Sequence, residues 1–262
     1  RLEDGCTDNE KHPPDRRGWF HRVTHCTVTR DKVSYVSGAL SRASTLCSRC
    51  AASRNVRLTL LFQMRQITIF DKLDYCASLK NLTEIQSLPN VNFVKGDIRS
   101  ADLLNHIFKD KNIDPVMHFA AQSHVDNSFV SPLNFTKTNT LGAHTFFLEC
   151  IKNNVKKILH VSSDEVYGEK TNGTSYEDQL VNPTNPYSAS KAAAEILINS
   201  YKYTYKKEVI MVRSNNVYGI RQFPEKLISK SIVNLIRNKP IPIHGNGQNI
   251  RYYLSAVDFA NA

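Results

Sequence analysis

The 262-residue chain has no run of about eighteen or more apolar residues, so no transmembrane helix is expected and no membrane partner. Its N-terminus lacks the charged, then apolar, then small-residue order of a secretory leader, which points to a cytosolic location. Cysteine is scarce, six in all, and without a leader this argues against a disulfide framework. Cys47 and Cys50 have the spacing of half a zinc site, which His21, His25 or Cys26 could complete. No second regularly spaced pair follows, so no metal centre is expected. Acidic residues are outnumbered, and the net charge is +10. The excess is uneven: residues 1–65 hold 12 Lys and Arg against 6 Asp and Glu, supplying +6 of it. The remainder is only mildly basic, so a nucleic-acid partner is not expected. Residues 1–63 also lack any sustained helical or strand period, and are expected to be disordered or mistranslated.

From Gln66 onward a rhythm sets in, with short apolar strands alternating with helical patterns, the signature of an α/β fold with a parallel sheet. Strands are expected at Ile67–Asp71, Val91–Lys95, Pro115–Phe119, Lys157–Ser162 and Glu208–Arg213. Helices are expected at Ala101–Phe108, Phe135–Asn153 and Ser188–Lys206.

Two clusters carry chemistry. In Tyr187-Ser-Ala-Ser-Lys191, near the start of a helix introduced by Asn185-Pro186, the phenol and the ammonium lie four residues apart on one face. An ammonium beside a phenol favours the phenolate, a base suited to a sugar hydroxyl. Upstream, Ser163, Asp164 and Glu165 follow the carboxyl end of an expected strand, where open α/β sheets bind ligands. A helix cap with acidic residues in its first turn explains those carboxylates about as well. A pair with divided tasks, one acid and one base, becomes the better reading once Tyr187 and Lys191 are added.

Six stretches together resemble the dTDP-glucose 4,6-dehydratase family in order and spacing. They are Asp71-Lys-Leu-Asp-Tyr-Cys76, His118-Phe-Ala-Ala-Gln-Ser-His-Val-Asp126, Ser162-Ser-Asp-Glu-Val-Tyr-Gly168, Asn185-Pro-Tyr-Ser-Ala-Ser-Lys191, Arg213-Ser-Asn-Asn-Val-Tyr-Gly219 and Pro224-Glu-Lys-Leu-Ile228. The resemblance runs from Gln66 to Ala262, and the plant UDP-glucose 4,6-dehydratases are nearly as similar. It implies a Rossmann-like, doubly wound parallel sheet over residues 64–213, with a smaller substrate domain beginning at 214 and cut short at 262. It also implies NAD as cofactor, a nucleotide sugar as substrate and a homodimer built on the helices containing Tyr187 and Phe135–Asn153.

By the same resemblance, Asp71 with Lys72 and Leu73 meets the adenosine ribose and disfavours a 2′-phosphate. Asp97 and Ile98 flank the adenine, while Phe119, Ala120, Ala121, Ser123, Thr138 and Asn216 lie along the cofactor with Tyr187 and Lys191. Tyr187 takes the proton of the 4-hydroxyl and Ser163 holds that hydroxyl. Glu165 removes the C5 proton and Asp164 protonates the departing 6-hydroxyl. Ser123, His124, Asn215, Lys226, Leu227, Pro242, Ile243, His244 and Arg251 contact the substrate, the arginine fork suiting a diphosphate. A sugar-nucleotide 4-epimerase shares the Tyr/Lys pair but has no need of Asp164 and Glu165. A non-catalytic basic module would instead rest on the first quarter of the chain.

The chain departs from the family pattern at its start. Nothing before Asp71 reads Gly-x-x-Gly-x-x-Gly, the turn whose amides and helix N-terminus cradle a pyrophosphate. A NAD-binding domain lacking its first strand and that loop is expected. Back-translating residues 10–25 and reading one nucleotide later permits Lys-Asn-Ile-Leu-Leu-Thr-Gly-Gly-Ala-Gly-Phe-Ile-Gly-Ser-His, a strand and dinucleotide loop in another frame. The segment therefore reads as a frameshift followed by unspliced intron, and the chain as written is expected to be inactive. Ser163 in place of threonine and Gln122 in place of glutamate keep their hydrogen-bonding roles.

Overall fold

The computed structural model describes residues 34–36, 66–170 and 173–262. The shifted glycine-rich reading and the Cys47/Cys50 pair with His21, His25 and Cys26 lie outside the described residues. Strands β1 (Ser34–Val36), β2 (Ile67–Asp71), β3 (Val91–Lys95), β4 (Val116–His118), β5 (Lys157–Ser163) and β6 (Glu208–Ser214) form one sheet. All pairings are parallel, in the order β3-β2-β1-β4-β5-β6. This is the doubly wound order whose ligand crevice opens where the strand sequence reverses, beside β1. β2 is buried at every position, as a strand covered on both faces should be.

The expected gap at the sheet centre is not there. Ser34–Val36 fills it, with Tyr35 opposite Ile69 on one side and Met117 on the other. The physical reason lies in the neighbours: β2 and β4 would otherwise present unpaired backbone groups inside a covered sheet.

The helices are α1 (Ala101–Lys111), α2 (Val125–Val130), α3 (Pro132–Phe135), α4 (Ala143–Lys152), α5 (Pro186–Tyr205), α6 (Leu227–Ile236) and α7 (Ala256–Asn261). A π-helical turn, Thr136–Gly142, joins α3 to α4, so the single expected helix is interrupted where it meets the site. Gly142 lets this turn approach the loop after β3, since a Cβ there would sit 2.8 Å from Ile98 Cδ1. The main core packs Phe70, Leu104, Phe146, Phe147, Ile158 and Ile198 between sheet and helices. A second parallel pair, β7 (Asn216–Tyr218) with β8 (Tyr253–Ser255), holds the chain's last described segment. Among the described residues no helix is long and apolar enough to cross a membrane, and no group of three or more His, Cys, Asp or Glu is placed to hold a metal ion.

Candidate active site

The carboxyl ends of β2, β3 and β4 open into a cleft. Its walls include Asp71 and Lys72, Asp97 and Ile98, Ala120, Ala121 and Ser123, and Thr138 from the π turn. Most of the residues expected along the cofactor thus meet in one place. Leu73 faces the other way, packing on the small core of Ile67, Ile69, Leu82 and Ile85. Its backbone is what serves the site: at φ 59°, the Leu73 N–H donates to Asp71 Oδ1 at 2.7 Å. Phe119, Asn216, Tyr187 and Lys191 are not among the residues lining this cleft.

Asp71 is 3% exposed. Its second oxygen, Oδ2, is buried with no hydrogen-bond partner among the described residues. Burial, with a lesser push from Asp74, raises its pKa from 3.8 to about 6, against the pull of the Leu73 N–H. An orphaned buried acceptor beside small walls (Gly96, Ala120, Ala121) fits the vicinal hydroxyls of a ribose. Gly96 cannot be larger, because a Cβ would lie 2.4 Å from the Phe70 ring. Around the rim, Arg99 grips Asp97 at 2.7 Å. Against the opposing effect of burial, Arg99 holds that carboxyl below its usual range. Asp74 is bonded by Lys72 at 2.8 Å and by Gln122 Nε2 at 2.6 Å.

The residues expected to react end or follow β5, or lie on α5. Ser163 ends β5 and caps the 3₁₀ turn Asp164–Tyr167, its Oγ accepting from the Glu165 N–H at 3.2 Å and donating to Asp164 Oδ1 at 3.3 Å. The arrangement satisfies the cap reading of these residues. Burial first, and Glu165 second, push the Asp164 carboxyl up, with Arg251 pulling the other way. Glu165 Oε2 accepts from Asn185 Nδ2 at 3.1 Å. On α5, Tyr187 and Lys191 are both buried. The ammonium is anchored by the Val161 carbonyl of β5 at 2.8 Å, and Tyr187 packs edge-on against Phe135.

Several partners escaped sequence reasoning. Asn139, on the π turn, is 2% exposed. It accepts from the Gln122 N–H at 2.7 Å and donates to Ser190 Oγ at 2.9 Å, tying the loop after β4 to α5. His118 and His160, the residues before Phe119 and Val161, stack and meet Nδ1 to Nδ1 at 2.7 Å. Burial, then the nearby Lys191, lowers His118 to about 3 and drives His160 down as well, so both rings are neutral. One Nδ1 must then donate and the other accept. Arg213 on β6 pairs with buried Glu195 of α5 at 2.7 Å and lies 4.7 Å above the Tyr167 ring.

The residues expected to hold the substrate are looser. Lys226 reaches back to the Ser123 carbonyl, and His124 precedes α2 as its cap residue. Asn215, Leu227, Ile243, His244 and Arg251 are exposed, and Pro242 is half-buried. Between them, Tyr75 donates to Glu225 at 2.6 Å and Arg221 pairs with Glu84. The segment 221–226 is thereby strapped to the loop after β2.

Residues 56–262 match the family model described as GDP-mannose 4,6 dehydratase. A trifunctional UDP-glucose 4,6-dehydratase/UDP-4-keto-6-deoxy-D-glucose 3,5-epimerase/UDP-4-keto-L-rhamnose-reductase of Arabidopsis thaliana is 50% identical over 210 residues, 79% of this chain and 32% of that protein. The dTDP-D-glucose 4,6-dehydratase of Dictyostelium discoideum is 44% identical over 218 residues, 79% of this chain and 50% of that one. The chain thus spans half or less of the length of these relatives. A crystal structure of a dTDP-glucose 4,6-dehydratase from Streptomyces venezuelae, with NAD bound, superposes with a TM-score of 0.80 at 32% identity, covering 88% of this chain and 70% of that one.

Proposed function

The chain belongs to the GDP-mannose 4,6 dehydratase family, and on that premise we propose that its site dehydrates a sugar nucleotide, converting dTDP-glucose to dTDP-4-keto-6-deoxyglucose with NAD. The observation that carries the reading is the unequal treatment of two adjoining carboxylates. Asp164 is pushed toward its protonated form by burial and by its neighbour, against the pull of the Ser163 hydroxyl, while Glu165 is held by the amide of Asn185. A division into acid and base is what an elimination of water requires. A 4-epimerase has no use for it.

NAD held in the cleft beside Asp71 would supply a hydride acceptor for C4 and a hydride donor for C6. Tyr187 accepts the proton of the 4-hydroxyl as that carbon becomes a ketone, and Ser163 steadies the same oxygen. The ketone acidifies C5, whose proton passes to Glu165. The C6–O bond breaks as Asp164 delivers its proton, so the hydroxyl leaves as water. Glu165 returns its proton to C5 as hydride reaches C6, so C4 ends oxidised, C6 ends reduced and the cofactor is unchanged, while solvent takes the proton left on Tyr187 and restores the one Asp164 gave up. Lys226 and Arg251 supply positive charge for the diphosphate.

The relative's name supports dTDP-glucose, and a competition assay against UDP-glucose tests the choice of base. The step itself is tested by Glu165→Gln. It should keep C4 oxidation, seen as reduced cofactor, while losing C5 solvent exchange and 4-keto product by about a hundredfold or more. Loss of both steps together would refute the assignment. A homodimer belongs to the same proposal. Leu133 and Leu141, and Ile196 and Tyr203 on α5, are all more than half exposed, giving adjacent helices an apolar stripe. Glutamate at Leu133 and Ile196 should yield a monomer by sedimentation.

A further inference from the structure

We propose that Asn185 is a positioning residue that holds Glu165 as proton acceptor, through an amide whose orientation is dictated by the helix it caps. The proposal rests on the dehydration reading above and adds to it the residue that separates the roles of the two carboxylates.

Asn185 is the N-cap of α5, in extended conformation at φ −141° and ψ 162°. Its Oδ1 accepts from the Ser188 N–H at 2.8 Å. Ser188 Oγ answers by accepting from the Asn185 N–H at 3.2 Å and donating to the Asn185 carbonyl at 3.0 Å. This reciprocal cap leaves no freedom to rotate the amide, because a flip would aim an NH₂ at the Ser188 N–H, donor against donor. With Oδ1 committed to the helix, Nδ2 points the other way, and there it meets Glu165 Oε2 at 3.1 Å. An amide nitrogen only donates and an ionised carboxylate only accepts, so the contact suits Glu165 as carboxylate.

The backbone carrying Glu165 is pinned to the same stretch. The Asn182 N–H donates to the Val166 carbonyl at 2.9 Å, and the Gly168 N–H to the Glu165 carbonyl at 3.1 Å. Gly168 sits at φ 79°, and a Cβ there would lie 2.1 Å from the Asn182 oxygen, so nothing bulkier allows this approach. Turn and helix start therefore move as one unit, and Asn185 aims the carboxylate within it. Tyr187 and Lys191 rise from the helix that Asn185 begins. One side chain thus registers the base for C5 against the base for the 4-hydroxyl. Asp164, pushed toward its protonated form by burial and by Glu165 against the pull of the Ser163 hydroxyl, is left to act as acid.

Two measurements test this on the full chain. In protein labelled with ¹⁵N-asparagine, the Asn185 side-chain amide is identified by its loss in Asn185→Ser. In Glu165→Ala that resonance should shift and lose its protection from solvent exchange. An unmoved resonance overturns the proposal whether or not the protein turns over. Asn185→Ser and Asn185→Asp both retain a good cap. With NAD and dTDP-glucose in D₂O, C5 exchange should fall about ten- to a hundredfold in the serine variant relative to C4 oxidation. It should fall further in the aspartate variant, where like charges face each other. Equal loss of both steps would make Asn185 a helix cap and nothing more. The kinetic arm uses the chain with its shifted glycine-rich reading restored: if that chain forms neither reduced cofactor nor 4-keto sugar the dehydration reading is overturned instead, and the amide resonance alone then decides the Asn185–Glu165 contact.

Discussion

Asp71 should make the protein less stable at neutral pH than in mild acid, and replacing it with asparagine should remove that dependence. Its carboxyl has an ordinary value of 3.8 and is raised to about 6 in the folded chain by burial. The folded state keeps its proton longer than the unfolded chain, so this residue's contribution to stability is lost as pH rises from about 4 to about 6. Integrating between about pH 4.5 and about pH 7 gives a loss of about 2 kcal/mol. Asparagine retains the acceptor for the Leu73 N–H but does not titrate. The stability difference between Asp71→Asn and wild type should therefore shift by about 2 kcal/mol in favour of the variant across that range. Urea denaturation of the cofactor-free proteins at several pH values reads this directly. Any constant offset from the new amide cancels in the comparison. Parallel stability profiles for the two proteins would refute the reasoning. NAD, whose ribose hydroxyls donate to the ionised form, should bind up to about tenfold more weakly for each unit of pH below about 6, measured by titration calorimetry.

Three other outcomes follow from the same geometry. Glu195→Gln breaks the buried pair with Arg213 and leaves the guanidinium without its counter-charge, so it should cost about 3 kcal/mol in urea denaturation. Tyr75→Phe removes a bond to Glu225 at a half-exposed site. The stability change should stay under about 1 kcal/mol, while hydrogen exchange over 221–226 and NAD dissociation both quicken. The chain as written should retain less than one NAD per protein through purification. A version with the shifted glycine-rich reading restored should retain about one, and stoichiometric NAD on the former would refute the frameshift account.

How much of this was legible depends on how far apart the interacting residues lie. The strands Ile67–Asp71 and Val91–Lys95 stand at the bounds their apolar runs imply, because a buried parallel strand advertises itself within five residues. The three residues of β1 carry no period at all, and their place is set by the open edges of β2 and β4. The π turn was invisible for a similar reason. One helix period spans residues 135–153, and the close approach of Gly142 to Ile98, 44 residues away, leaves no mark on it. Asp71, Asp97 and Ala120 were named through the family resemblance, and each lies at or just past the carboxyl end of its own strand. Asn185 with Glu165, His118 with His160, and Arg213 with Glu195 are separated by 20, 42 and 18 residues, so neither member signals the other in sequence.

That distinction decides what the two carboxylates are. In sequence Asp164 and Glu165 have equal claims to either role, since adjacency is symmetric and each is a carboxylic acid. On the proposed reading the symmetry is broken by two effects, one local and one long-range. Burial and the neighbouring charge push Asp164 toward holding a proton, while the cap amide of a helix twenty residues downstream offers Glu165 a donor it can accept only with a free lone pair. Exchanging the two side chains, Asp164→Glu with Glu165→Asp, would preserve composition and charge but shorten the reach to Asn185 by one methylene. Elimination should then fail while C4 oxidation, which depends on Tyr187 and Lys191, persists.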